Sequence, residues 1–200
     1  MAEKPQYVKA RFVNEEANEA GIYLMSIYVN GIKTPVVVDD YIPTINGKPC
    51  FARSNEGELW VCLLEKAWAK LYGTYCRMEG GDPSFAAMHL NGSPAKSIWH
   101  QELSSYSTRA DFYQTIKYAD ERGYTMMSGT NGQGEQRLAK GVISGHAYSL
   151  ISIHEFEFEG SEVKLLKMRN PWGRGEWTGA WSDSSSLWTD ETRALCDVTD

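Results

Sequence analysis

At 200 residues, with 42% hydrophobic, 12% aromatic and 23% charged side chains, the chain can bury a substantial core as one domain. Its 20 basic and 26 acidic residues leave a formal charge of -6, which argues against a nucleic-acid partner, because neutralising phosphates demands a basic face and no such stripe is present. No apolar run approaches membrane-spanning length, and residues 1–11 hold no signal-peptide core, so the chain reads as cytoplasmic, with no transmembrane segment.

Cys50, Cys62, Cys76 and Cys196 are scattered without a CxxC pair, which suggests neither a zinc site nor a secreted disulfide framework, and reduced thiols are expected. Seven tryptophans and eleven tyrosines imply a well-packed, partly amphipathic interior.

In chain order, residues 21–29 are strand-like, and Asn30-Gly31 supplies two positive-φ positions for a type I′ turn before a second strand over 35–41. Asn55-Glu56-Gly57-Glu58 resembles a capping box. The helix it would start runs through Leu59, Leu63, Ala67 and Leu71 to a stop at Gly73, and its apolar content predicts a central position. Asp82-Pro83 predicts a short helix with Asp as N-cap and Pro at its first position, and Thr108 with Asp111 predicts another ending before Gly123.

Residues 129–141 are rich in glycine and polar side chains and describe a mobile loop. Residues 146–158 and 162–169 then alternate or run apolar with β-branched content, joined near Gly160-Ser161 as a hairpin. The stretch from Trp177 onward is polar, aromatic and irregular, and no internal repeat or interdomain linker stands out. These elements predict one α+β domain over residues 1–200, mostly antiparallel strands around the helix at 58–72, with pairing between the early and late hairpins.

An antiparallel hairpin sets the beginning of its first strand beside the end of its second, which brings His146 and Asn170 to one end of the sheet. Simple pairing about Gly160 leaves them offset, so direct contact requires a bulge or an Asn lying beyond the ladder. A histidine beside a thiol shares its proton to give a thiolate–imidazolium pair, and an amide oxygen accepting from the other ring N–H holds the ring in place. A lone histidine at a strand end is ordinarily bonded to backbone, so the surrounding residues decide.

Those residues resemble the calpain family of cysteine proteases. The matching segments are Pro35-Val36-Val37-Val38-Asp39-Asp40-Tyr41-Ile42-Pro43, the helix from Leu59 to Lys70, Gly145-His146-Ala147-Tyr148-Ser149, Arg169-Asn170-Pro171-Trp172-Gly173, and Glu176-Trp177-Thr178-Gly179-Ala180-Trp181-Ser182-Asp183. Order and spacing match from about residue 20 to about residue 190. The resemblance implies the His- and Asn-bearing half of a papain-like core, with His146 as general base, Asn170 orienting it, and Trp172 shielding their hydrogen bond or obstructing the cleft. It also implies protein substrates, a loop over the cleft at 129–140, and calcium at Glu176 and Asp183, although two carboxylates are an incomplete shell for an ion that takes six to eight oxygens.

The family's nucleophile, a Cys-Trp at a helix start, is not matched. Cys50, Cys62, Cys76 and Cys196 lack the helix N-terminal setting that lowers a thiol pKa. The expectation is therefore a piece of a larger calcium-dependent cysteine endopeptidase, silent without its missing nucleophile-bearing half. The alternatives are a non-enzymatic calpain-fold module that binds a partner through the same wall, and a calcium-responsive structural domain.

Overall fold

A computed structural model describes residues 5–14, 16–54, 57–99 and 109–198. The fold is α+β and divides into two units, Met1–Ser97 and Ile98–Asp200.

In the first unit, a short helix α1 (Pro5–Lys9) precedes strands β1 (Ile22–Val29) and β2 (Ile32–Asp39), which pair antiparallel from Ile22 opposite Asp39 to Val29 opposite Ile32. Asn30 and Gly31 take φ of 51° and 77°, as the two-residue turn requires. The second strand starts three residues earlier than the sequence predicts, because Pro35 is tolerated on a two-stranded ribbon where it faces Ser26.

Alternation turns Tyr23, Met25, Ile27, Val36 and Val38 onto Leu63, Leu64 and Ala67 of helix α2 (Trp60–Tyr72), and Met25, Ile27 and Ala67 are completely buried. Fully burying a side chain such as Ile27 stabilises by roughly 1.5–3 kcal/mol. The helix is clamped to the hairpin edge by Lys70 Nζ, which donates to Val37 O at 2.7 Å, and by Lys66, which bonds Asp39 and Tyr41 O.

The capping box predicted at 55–58 falls partly outside the described residues, which omit Asn55 and Glu56. Leu59 precedes the helix with no side-chain cap, and Gly73 ends it at φ 91°. Strands β3 (Thr44–Ile45) and β4 (Lys48–Pro49) form a minimal ribbon. Helix α3 (Pro83–Asn91) begins as predicted, with the Asp82 carboxylate accepting from Ser84 N at 2.8 Å.

In the second unit, helix α4 (Arg109–Glu121) ends before Gly123 as expected, while its predicted cap Thr108 lies outside the described residues. Strands β5 (Met126–Gly129), β6 (Ala147–Phe158) and β7 (Ser161–Arg169) form one antiparallel sheet with β6 in the middle. Strand β5 reaches only Leu150 of β6, and beyond it Asp120 of α4 accepts from Ile153 N at 2.8 Å. Tyr113 OH donates to His154 O, and Lys117 pairs with Glu155.

The early and late hairpins belong to different sheets, which corrects the expected pairing between them. Each hairpin finds its partner locally, the first in α2 and the second in β5 and α4. The tail predicted as irregular contains helix α5 (Asp190–Leu195), started by a reciprocal Thr189–Thr192 capping box.

Candidate active site

The late hairpin provides both routes to contact that the sequence analysis required. Between Leu150–Met168 and Ser152–Lys167 the register slips, so Ile151 is a bulged extra residue, and the last pair is Ser149 opposite Arg169. One step further, Asn170 comes level with Tyr148, which shares a face with His146 two residues away. Without the bulge Asn170 would come level with Ser149, whose side chain points to the other face.

The outcome is direct contact: His146 Nε2 lies 2.8 Å from Asn170 Oδ1, and both residues are 7% exposed. Asn170 is fixed in turn, because its Nδ2 donates to Arg174 O at 2.7 Å and its Oδ1 also accepts from Trp172 N at 3.1 Å. With the amide orientation set by that backbone carbonyl, Oδ1 is the end that faces the ring, and Nε2 carries a proton.

Two aromatic rings enclose the imidazole. The Trp172 ring centroid lies 4.8 Å from it at 57°, and Tyr148 meets it edge-on at 4.9 Å and 88°. Trp172 remains 43% exposed, so one face covers the histidine while the other meets solvent. The Tyr148 hydroxyl accepts from Ile143 N at 2.9 Å, tying this ring to the segment before His146.

Residues 130–138, within the segment 129–141 predicted as a mobile loop, are stitched to residues 142–146. Ser144 N donates to Gln136 O at 2.8 Å, Gln136 N donates to Ser144 Oγ at 3.2 Å, and Leu138 N donates to Val142 O at 2.6 Å. Thr130 N donates to His146 O at 2.9 Å, and His146 N donates to Thr130 Oγ1 at 3.1 Å. Glu135 from this loop places Oε1 2.7 Å from His146 Nδ1.

Sequence reasoning missed Thr130, Glu135, Ser144 and Tyr148 as parts of the site. Tyr148 was readable from alternation, two positions from His146 on the same face. The others depend on how an irregular segment folds back, for which no local pattern exists.

Glu176 and Asp183, the residues expected to hold calcium, are both exposed. Glu176 contributes through its carbonyl, which packs so closely on Gly141 that a Cβ there would lie 2.0 Å from it. Among the described residues no three His, Cys, Asp or Glu side chains gather as a metal site. By themselves these two carboxylates fall short of the oxygens that calcium takes.

Among the described residues, the side-chain partners of the His146 ring nitrogens are Asn170 and Glu135, and neither is a thiol. Contrary to the sequence expectation, Cys62 does lie in the first turn of α2, but it is buried there with its Sγ 3.2 Å from Ala52 O, and burial, reinforced by Glu65, pushes its pKa up. Burial also pushes up Cys196, against a smaller opposing effect of Lys167. A raised pKa holds a thiol in its unreactive neutral form.

Over residues 1–200 the sequence matches a family model described as calpain family cysteine protease. It is 40% identical over 174 residues to the human Calpain-1 catalytic subunit, covering 84% of this chain and 24% of that protein. Against the calpain-type cysteine protease DEK1 of Arabidopsis thaliana it is 37% identical over 191 residues, covering 90% of this chain and 8% of that protein. Human Calpain-9 is 34% identical over 186 residues, covering 88% of this chain and 26% of that protein. The chain thus spans about a quarter or less of the length of these relatives.

Proposed function

The chain belongs to the calpain family of cysteine proteases, and from that premise we propose that it supplies the acid–base side of a cysteine endopeptidase acting on protein substrates. The supporting observation is the buried 2.8 Å contact between His146 Nε2 and Asn170 Oδ1, with the amide locked by Arg174 O. This leaves Nδ1 as the nitrogen that exchanges protons with a nucleophile.

In the proposed mechanism a cysteine outside this chain, on the nucleophile-bearing half of the core, gives its S–H proton to His146 Nδ1. The thiolate attacks the peptide carbonyl carbon, and the imidazolium passes that proton to the departing amine. His146 then takes a proton from water as the water attacks the thioester, and returns it to sulfur. Asn170 holds the ring through both steps without adding a charge, and Trp172 screens their hydrogen bond from water.

We assign calcium dependence to the whole protease, with Glu176 and Asp183 supplying part of a shell that other oxygens complete. A cytoplasmic setting accords with the four free cysteines.

A thiol-directed epoxide tests these assignments on the full-length protein that carries this sequence. Labelling should fall on one upstream cysteine, require calcium, and slow by about 10²–10⁴-fold in Asn170→Ala or His146→Ala. Labelling of Cys50, Cys62, Cys76 or Cys196 that depends on His146 would overturn the proposal. No labelling of any cysteine would favour the non-enzymatic binding module instead.

A further inference from the structure

We propose that Glu135 is a self-capping latch, whose carboxylate occupies the histidine nitrogen that a nucleophilic thiol must reach. The inference deepens the reading of His146 as general base and rests on it.

An imidazole has two nitrogens, and Asn170 Oδ1 takes the Nε2 proton. Glu135 Oε1 stands 2.7 Å from the other. With an acceptor on each side, either the ring carries both protons or the carboxyl holds the shared one and donates it to Nδ1. In both cases the Nδ1 lone pair is unavailable to take a proton from sulfur. The histidine side chain is 5% exposed and that of Glu135 is 44% exposed, so the carboxylate is the solvent-facing member of the pair.

The contact is built by the loop. The residues on either side of Glu135 are both held by Ser144: its Oγ lies 3.1 Å from Gly134 O and accepts from Gln136 N, and its backbone N donates to Gln136 O. Gly145 sits at φ 57°, and a Cβ there would come 2.8 Å from Gly134 O, so the loop seats this closely because residue 145 has no side chain. Glu135 is thereby delivered to a histidine that begins one residue beyond Gly145. Because nearly half of its side chain meets solvent, the pair is screened and weakly held, which suits a latch that an incoming thiol or substrate must displace.

Diethyl pyrocarbonate acylates an imidazole nitrogen only when its lone pair is free, so it reads the latch without any need for activity. In the full-length protein, Glu135→Ala should raise acylation of His146, followed by mass spectrometry, about tenfold, with His89 as an unchanged internal control. Glu135→Gln keeps the shape but not the charge, and should raise it about threefold. In the same proteins, epoxide labelling of the upstream thiol should quicken about fivefold in Glu135→Ala.

His146 acylation within about twofold of wild type in both variants would show that no latch exists. Faster acylation with slower thiol labelling would make Glu135 a positioning residue and also overturn the proposal. Faster acylation with no thiol labelled in any protein would sustain the latch while sinking the protease assignment.

Discussion

Around hairpin β1–β2 the side chains withdrawn from water are chiefly apolar, with Tyr23, Met25, Ile27, Val36 and Val38 lying on Leu63, Leu64 and Ala67. In the second unit the buried set includes Ser144, His146, Asn170, Ser182 and Thr192, against Ile143 and Cys196 among the hydrophobic residues. The first unit is held by area, which is non-directional and tolerates changes of shape. Around His146 in the second unit hydrogen bonds fix distance and angle and leave an expensive orphan when one partner goes, while farther along the sheet Phe156 and Phe158 pack on Trp181, which meets Trp188. Directional bonding is what an acid–base site needs, and Thr130, Glu135 and Asn170 supply it at His146.

The largest test of that contrast is Ile27→Ala, which should cost about 2–5 kcal/mol, read as lost amide hydrogen-exchange protection across β1 and β2. A cost below about 1 kcal/mol would mean that the apolar core is loosely packed and the contrast false.

A smaller effect is expected from Ser144→Ala, which removes few atoms but strips Gln136 N and Gly134 O of a shared partner. It should cost about 1–3 kcal/mol and speed exchange at residues 132–137, with β1–β2 unchanged. Equal loosening of both hairpins would show that Ser144 does not act locally on the loop.

The smallest concerns His154 on β6, whose pKa is lowered from 6.5 by burial first and by Lys167 second. The fold therefore prefers the neutral ring. Its contribution is fully present above the unfolded value near 6.5 and is lost as pH falls through the lowered folded value. Denaturant midpoints should decline across that window, and His154→Gln should flatten the decline. A slope unchanged by the substitution would assign the acid sensitivity elsewhere.

Much of this architecture was legible in the sequence because local chemistry dictates it. Asn30-Gly31 sets a two-residue turn, Asp82-Pro83 starts a helix, and the alternation at 146–158 and 162–169 places the site hairpin within a residue or so of its ends. The need for a bulge also followed from counting residues about Gly160.

What escaped has physical reasons. Strand β5 is too short to show a period, and α5 hides because Thr192, rather than Glu or Gln, completes its capping box. Glu135 was unreadable as a partner of His146, since only the folded path of the loop joins two residues eleven positions apart.

The extra residue at Ile151 divides the late hairpin into two stretches with different freedom to evolve. Between Ile151 and His146, gaining or losing one residue would reverse the parity that puts His146 and Asn170 on a common face. Beyond Ser152, matched residues can be added to or removed from both strands near Glu159-Gly160 without disturbing that phase. Relatives should therefore vary in the reach of this hairpin tip while keeping the count from bulge to histidine constant, so the bulge acts as the datum from which the site is measured.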